Sequence, residues 1–195
     1  MNSVSLAVSM LLVSNLAFSW FLGLDLCFDR ASDRRRLIRY GVGLSSFLAV
    51  AAVAGWVGNR LFLDWLGLDV LQPLLFVLII VGMVSLTHRI TRAISVQWHR
   101  EIAGDISAIA ANSAVLGVVL IAVRSDYTAF ESLVAGFFGG LGLMLAAALL
   151  GAVLRTLELE WIPEPMRGVP IALICAGLIA MAFLVFDPAL LAAIR

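Results

Sequence analysis

Ser14-Asn15-Leu16-Ala17-Phe18, followed by Phe21-Leu22-Gly23-Leu24, and Ala111-Asn112-Ser113-Ala114-Val115-Leu116-Gly117 are the two stretches that decide the fold. Each reads Asn-x-Ala and then an apolar residue, with Leu-Gly just beyond, and each lies inside a long apolar run. An amide in hydrocarbon is costly unless it is hydrogen-bonded. Asn15 and Asn112 therefore have two readings. They are glue between helices, or they bond backbone groups freed where a helix is broken, as in transporter folds with sites near the bilayer midplane. The residues alone leave both open.

Six apolar runs extend outward from these motifs, at about 4–24, 37–58, 71–88, 102–123, 129–154 and 169–194. Each has the length of roughly 20 residues that a helix needs to cross hydrocarbon, and a helix satisfies its own backbone groups there. The chain has 195 residues, of which 63% are hydrophobic and 13% charged. That composition excludes a soluble globule, a disordered chain and a disulfide scaffold. It also leaves no room for a soluble catalytic module. The expected fold is an all-α polytopic membrane protein, one integral membrane domain over 1–195. Its six transmembrane helices form an inverted 3+3 repeat, with halves of approximately 1–98 and 99–195 and with broken first and fourth helices. Three spans per half is an odd number, which inverts one half relative to the other.

The charges orient the chain. All 13 basic residues are arginine, balanced by 13 acidic residues. Ten arginines fall in the first, third and fifth connections: Arg30, Arg34, Arg35, Arg36 and Arg39, then Arg89, Arg92 and Arg100, then Arg155 and Arg167. The other side has Arg60, Arg124 and Arg195. The positive-inside rule puts the arginine-rich connections in the cytoplasm, and both termini on the outer, periplasmic side of a bacterial inner membrane. The first run lacks a basic flank, so it is not expected to be a cleaved signal peptide. Nucleic-acid binding has no support in a chain of zero net charge.

The remaining polar groups have plain readings beside functional ones. Asp25, Cys27 and Asp29 cluster at the end of the first run. Glu101 and Asp105 lie four apart on one helical face and complement a helix dipole, with a cation relay as the alternative. His88 and His99 bracket the third connection and read as interfacial, with no further ligand at metal spacing. Glu158, Glu160 and Glu164 read as a solvated face or a docking patch. Gly136 and Gly140 form a GxxxG that permits close helix contact, and Cys175 reads as a buried inert thiol. Cys27 and Cys175 make no CxxC.

Three stretches together resemble the Rnf/Nqr family of six-span membrane proteins of ion-translocating electron-transport complexes, in particular its RnfA/NqrE type. They are Asn15 to Leu24, Asn112 to Val118, and Pro165-Met166-Arg167-Gly168-Val169-Pro170-Ile171-Ala172-Leu173-Ile174-Cys175-Ala176-Gly177-Leu178. The resemblance implies pairing with a sister six-span subunit, the two sharing an intramembrane [2Fe–2S] cluster. It also implies that each partner supplies one cysteine just after the first Phe-Leu-Gly-Leu and one just after the Asn of the second motif. In this sequence those slots are Asp25 and Ser113, and Cys27 stands two residues beyond the first. Asp25, Cys27, Asn112 and Ser113 are thus the degenerate cofactor slots, Cys27 the candidate metal ligand, and Asn15 and Asn112 the candidate ion path. An all-thiolate cluster needs four sulfur ligands, so this chain alone is expected to bind none.

Three functions follow from these residues. One is a membrane subunit of an Rnf/Nqr-like electron-transport complex, with flavin and nucleotide sites on other subunits. The second is a cluster-free permease using Asn15, Asn112, Asp25 and Ser113. The third is a structural or assembly subunit that retains the packing motifs.

Overall fold

The computed structural model describes residues 3–23, 34–63, 69–157 and 161–186, and these contain helices and no strand. In chain order the α-helices are α1 (Ser3–Val8), α2 (Leu16–Trp20), α3 (Arg34–Gly58), α4 (Gln72–Ile94), α5 (Val96–Ala111), α6 (Ser113–Arg124), α7 (Ala129–Leu157) and α8 (Val169–Phe183). Two π-helical segments, Ser9–Val13 and Asn59–Leu63, extend α1 and α3.

Among the described residues, three helical segments are long and apolar enough to cross a membrane: Leu37–Leu63, Gln72–Ile94 and Ala129–Leu157. A fourth is counted if Ile102–Ala111 and Ser113–Arg124, bent by 50° at their junction, are one span. Ser3–Val13 and Val169–Phe183 are shorter apolar helices. The first apolar run is therefore not one uninterrupted helix. It reaches Val13, turns, and restarts at Leu16.

Local chemistry sets several boundaries. Pro73 lies in the first turn of α4, where its missing N–H costs nothing. Ser95, extended at φ −161° and ψ 122°, separates α4 from α5. Thr128 and Glu131 cap α7 reciprocally, with the Thr128 N–H donating to Glu131 Oε2 at 3.0 Å and the Glu131 N–H to Thr128 Oγ1 at 3.3 Å. Pro163 precedes the 3₁₀ turn Glu164–Met166, and Pro170 sits at the start of α8.

The core forms around α7, which is apolar on every side, as a helix enclosed by others must be. Its most extensive partner is α3. Gly136 and Gly140 make that approach possible. A Cβ on Gly136 would lie 2.5 Å from the Leu48 carbonyl oxygen, and one on Gly140 2.4 Å from the Ser45 Cα. The GxxxG reading of the sequence is borne out here. Helix α4 is peripheral: 17% of its apolar window is buried inside the protein, against 56% for α3 and α7. Its apolar outer face is exposed at Leu74, Leu78, Val81 and Leu86. Cys175 is buried against the same core.

Candidate functional site: two interrupted helices

The incoming helix of the first motif loosens before it stops. The Ser14 N–H donates to the Ser9 carbonyl at 2.7 Å, five residues back, which is the π spacing. Asn15 then takes an extended conformation, φ −60° and ψ 124°, and its Oδ1 accepts the Ala17 N–H at 3.0 Å to cap α2. Its Nδ2 donates to Leu11 O at 3.0 Å and to Gly142 O on α7 at 2.9 Å. One fully buried amide thus serves both helix ends and ties them to the central helix. A side chain at Gly142 would not fit, since its Cβ would sit 2.9 Å from Met10 O and 3.1 Å from Asn15 Nδ2.

The second motif repeats the cap. Helix α5 ends at Ala111, Asn112 is extended at φ −70° and ψ 124°, and its Oδ1 accepts the Ala114 N–H at 2.9 Å. Asn112 is buried. Both asparagines cap a new helix through its second N–H, so the Asn-x-Ala spacing in the sequence is a cap with a small residue two positions on.

The structure brings the motifs together. Helix α2 closes with Phe21 in the left-handed region at φ 53°, and its Leu16 carbonyl accepts the Leu22 N–H at 2.9 Å. Gly23 follows at φ +74°, and its N–H donates to Ser113 Oγ at 3.1 Å. A Cβ on Gly23 would lie 2.9 Å from Leu143 Cδ2 and 3.1 Å from Asn112 Oδ1. Only glycine accepts both that φ and that contact. Leu22 in turn packs on Gly117. Ser113, Trp20 and Phe21 are exposed, so the junction surfaces on the outside of the helical body.

Asp25 and Cys27 lie outside the described residues, as do Asp29, Glu158 and Glu160 and the side chain of Glu101. Asp105 pairs with Arg39 of α3 at 3.1 Å rather than standing alone on its helix face. Among the described residues, no group of three or more His, Cys, Asp or Glu is placed to hold a metal. The Ser113 hydroxyl already accepts a backbone N–H, and a hydroxyl is a harder donor than iron–sulfur chemistry uses.

Sequence reasoning missed a polar junction between α4 and α5. His99 is nearly buried, and its Nδ1 lies 2.8 Å from Thr91 Oγ1. The Thr91 hydroxyl also lies 2.8 Å from the Thr87 carbonyl, to which it donates, so it accepts from His99. The His88 and His99 rings meet edge to face with centroids 5.3 Å apart. Desolvation lowers the His99 pKa, and Arg92 and His88 lower it further. The signal in the sequence was Thr91 one turn after His88, which periodicity alone does not mark as a partner for His99.

Apolar helices of membrane-spanning length, two of their neighbours interrupted at capped asparagines, define a helical integral membrane protein. The chain matches the family described as "Rnf-Nqr subunit, membrane protein" over residues 3–189, and it belongs to that family. It is 32% identical over 187 residues to the A component of the Na(+)-translocating ferredoxin:NAD(+) oxidoreductase complex of Acetobacterium woodii, covering 96% of this chain and 97% of that one. It is 36% identical to the A component of the ion-translocating oxidoreductase complex of Edwardsiella ictaluri, over 93% of this chain and 94% of that one. With the same-named component from Yersinia pseudotuberculosis the identity is 34%, at 93% and 94% coverage.

Proposed function

We propose that this chain is an integral membrane subunit of an Rnf/Nqr-like electron-transport complex in a bacterial inner membrane. It helps form the transmembrane electron or ion path beside a sister six-span subunit. Its six spans make an inverted 3+3 repeat with both termini outside, and the family's [2Fe–2S] cysteine slots carry Asp25 and Ser113. The observation that supports this reading best is the junction at Ser113 and Gly23. Two independently interrupted helices converge there, with matching caps, on an exposed polar point between apolar helices.

The chain's own residues have definite work in this reading. Asn15 and Asn112 stabilise the breaks, so that two helix N-termini, each a partial positive charge, form part of a polar zone inside the membrane. The Ser113 hydroxyl holds the Phe-Leu-Gly turn in place, a role that needs no metal. In the permease alternative Asp25, two residues after Gly23 in the sequence, supplies the negative charge for a cation site.

Co-purification with neighbouring subunits tests the assignment, and iron content and EPR test the slots. The expected result is a complex containing a second six-span subunit, with no [2Fe–2S] signal that depends on this chain's Cys27. A stoichiometric signal abolished by Cys27→Ala overturns the loss of the cluster. Recovery of this chain without a sister subunit, with solute transport by the chain alone in liposomes, overturns the complex and favours the permease. The Ser113 staple also favours a structural or assembly subunit, which predicts a complex whose electron transfer survives Asp25→Asn.

A further inference from the structure

A cavity of about 280 Å³ lies between α3, α4 and α5, away from the two interruptions. Gly43, Phe47, Ile106 and Ile109 line it with apolar surface. Thr87 and Thr91 also line it, yet their hydroxyls are committed to their own helix, donating to Met83 O and Thr87 O, each at 2.8 Å. Water needs two to four polar partners to be held in a cavity, and these walls offer few. An apolar chain suits them better than a polar solute.

The mouth is different. Arg39 and Asp105 form an ion pair there at 3.1 Å, with the arginine side chain 56% exposed and the aspartate 23%. The guanidinium is the outer member of the pair. Arg89 and Arg92 at the end of α4 and Arg100 at the start of α5 belong to the same end of the helices, against Asp105 and Glu101. Excess positive charge where helices leave hydrocarbon attracts anionic headgroups, and a guanidinium matches phosphate oxygens in a two-point contact.

We infer that this cavity holds one acyl chain of an anionic phospholipid, with the lipid phosphate on Arg39. The site goes beyond the proposed electron-transport role and uses none of the residues at the interruptions. Phosphate displaces part of the Arg39–Asp105 contact, and the acyl chain enters beside Gly43, where an added Cβ would meet only Ile109 at 3.4 Å. That open flank is what a bulky substitution would fill.

The test uses the chain with its co-purifying subunits in nanodiscs containing equal phosphatidylglycerol and phosphatidylcholine, with retained lipid counted by native mass spectrometry. The expected result is retention of phosphatidylglycerol over phosphatidylcholine by about fivefold, the effect of one arginine at a membrane surface. Arg39→Gln brings the ratio to near one with the thermal midpoint unchanged, and Gly43→Leu removes retained lipid of both kinds. Equal retention of the two lipids by the unmodified protein overturns the inference, and so does a preference that survives Arg39→Gln. Release of the lipid by millimolar inorganic phosphate also overturns it, since it would make the site one for free phosphate.

Discussion

At Asn15 the incoming helix unwinds into a π turn, the side chain holds three hydrogen bonds, and the outgoing helix lasts only from Leu16 to Trp20. At Asn112 the incoming α5 is regular to Ala111, the Oδ1 cap is the same, and the outgoing α6 runs on to Arg124. The cap is the repeated element, and the helices it joins differ. The first interruption is anchored sideways, by an amide donating into the backbone of α7. The second is a 50° bend between two longer helices that already pack on their neighbours. A short helix has little cooperativity of its own, so the five-residue α2 depends more on what holds it than the 12-residue α6 does.

Replacing the two asparagines is the sharpest way to break this comparison. Asn15→Leu strands the Leu11 and Gly142 carbonyls and uncaps α2. The expected loss is about 3 kcal/mol, from a cap of about 1 and unsatisfied buried groups of about 1 or more. Asn112→Leu removes the same cap from the 12-residue α6 and is expected to cost less, because the longer helix has more cooperativity of its own than the five-residue α2. Denaturant unfolding of both variants in mild detergent checks the order, and equal losses would show that the length of the outgoing helix does not set the cost. Asn15→Asp keeps the cap acceptor and loses both donors, so it is also expected to destabilise.

The glycines sharpen the same contrast at smaller amplitude. Gly142→Ala presses a methyl against the Met10 carbonyl and the Asn15 amide, and is expected to cost about 1–3 kcal/mol by overpacking. Gly117→Ala at the second interruption meets the tip of Leu22, a flexible side chain that can swing aside, and is expected to cost less. Thermal midpoints of the pair test this. Ser113→Ala removes the acceptor for Gly23 N–H, an expected loss of about 1 kcal/mol. Faster hydrogen exchange at Gly23, with α5 unchanged, is its signature.

Much of this was legible in the sequence. The apolar runs around 37–58, 71–88 and 129–154 correspond to long helices because their periodicity and length are local properties, and the GxxxG of α7 marks a real contact. Asn15 and Asn112 were legible as a pair, but the choice between glue and cap was not. Asn15 does both, since its Oδ1 caps α2 while its Nδ2 reaches a residue 127 positions away. The resemblance implied that the ends of the two motifs serve one site, but the hydrogen bond from Gly23 to Ser113 was out of reach, because it depends on a left-handed turn at Phe21, a residue that seldom adopts one. Thr91 and His99 were hidden for a simpler reason: Ser95 folds α5 back beside α4, and no spacing rule anticipates that.

The smallest expected effect concerns pH, and it again separates the two interruptions. The lead-in to the second carries His99, whereas Ser3 to Val13, the lead-in to the first, contains no titratable side chain. Burial, Arg92 and His88 all disfavour the charged imidazole, so the folded state binds a proton at His99 less readily than the unfolded state does. The sign follows from linkage: stability contributed by neutral His99 is full above the ordinary histidine value of about 6.5 and is lost as pH falls from there toward the lowered folded value. Hydrogen exchange through α5 is therefore expected to accelerate on acidification from pH 7 to below 6, after correction for intrinsic rates, while exchange through Ser3–Val13 does not. His99→Gln, which keeps a side-chain donor for Thr91 and removes the titration, is expected to flatten the response of α5. If α5 in that variant still loosens over the same range, the pH sensitivity belongs to another group and the two lead-in helices differ for a reason other than His99.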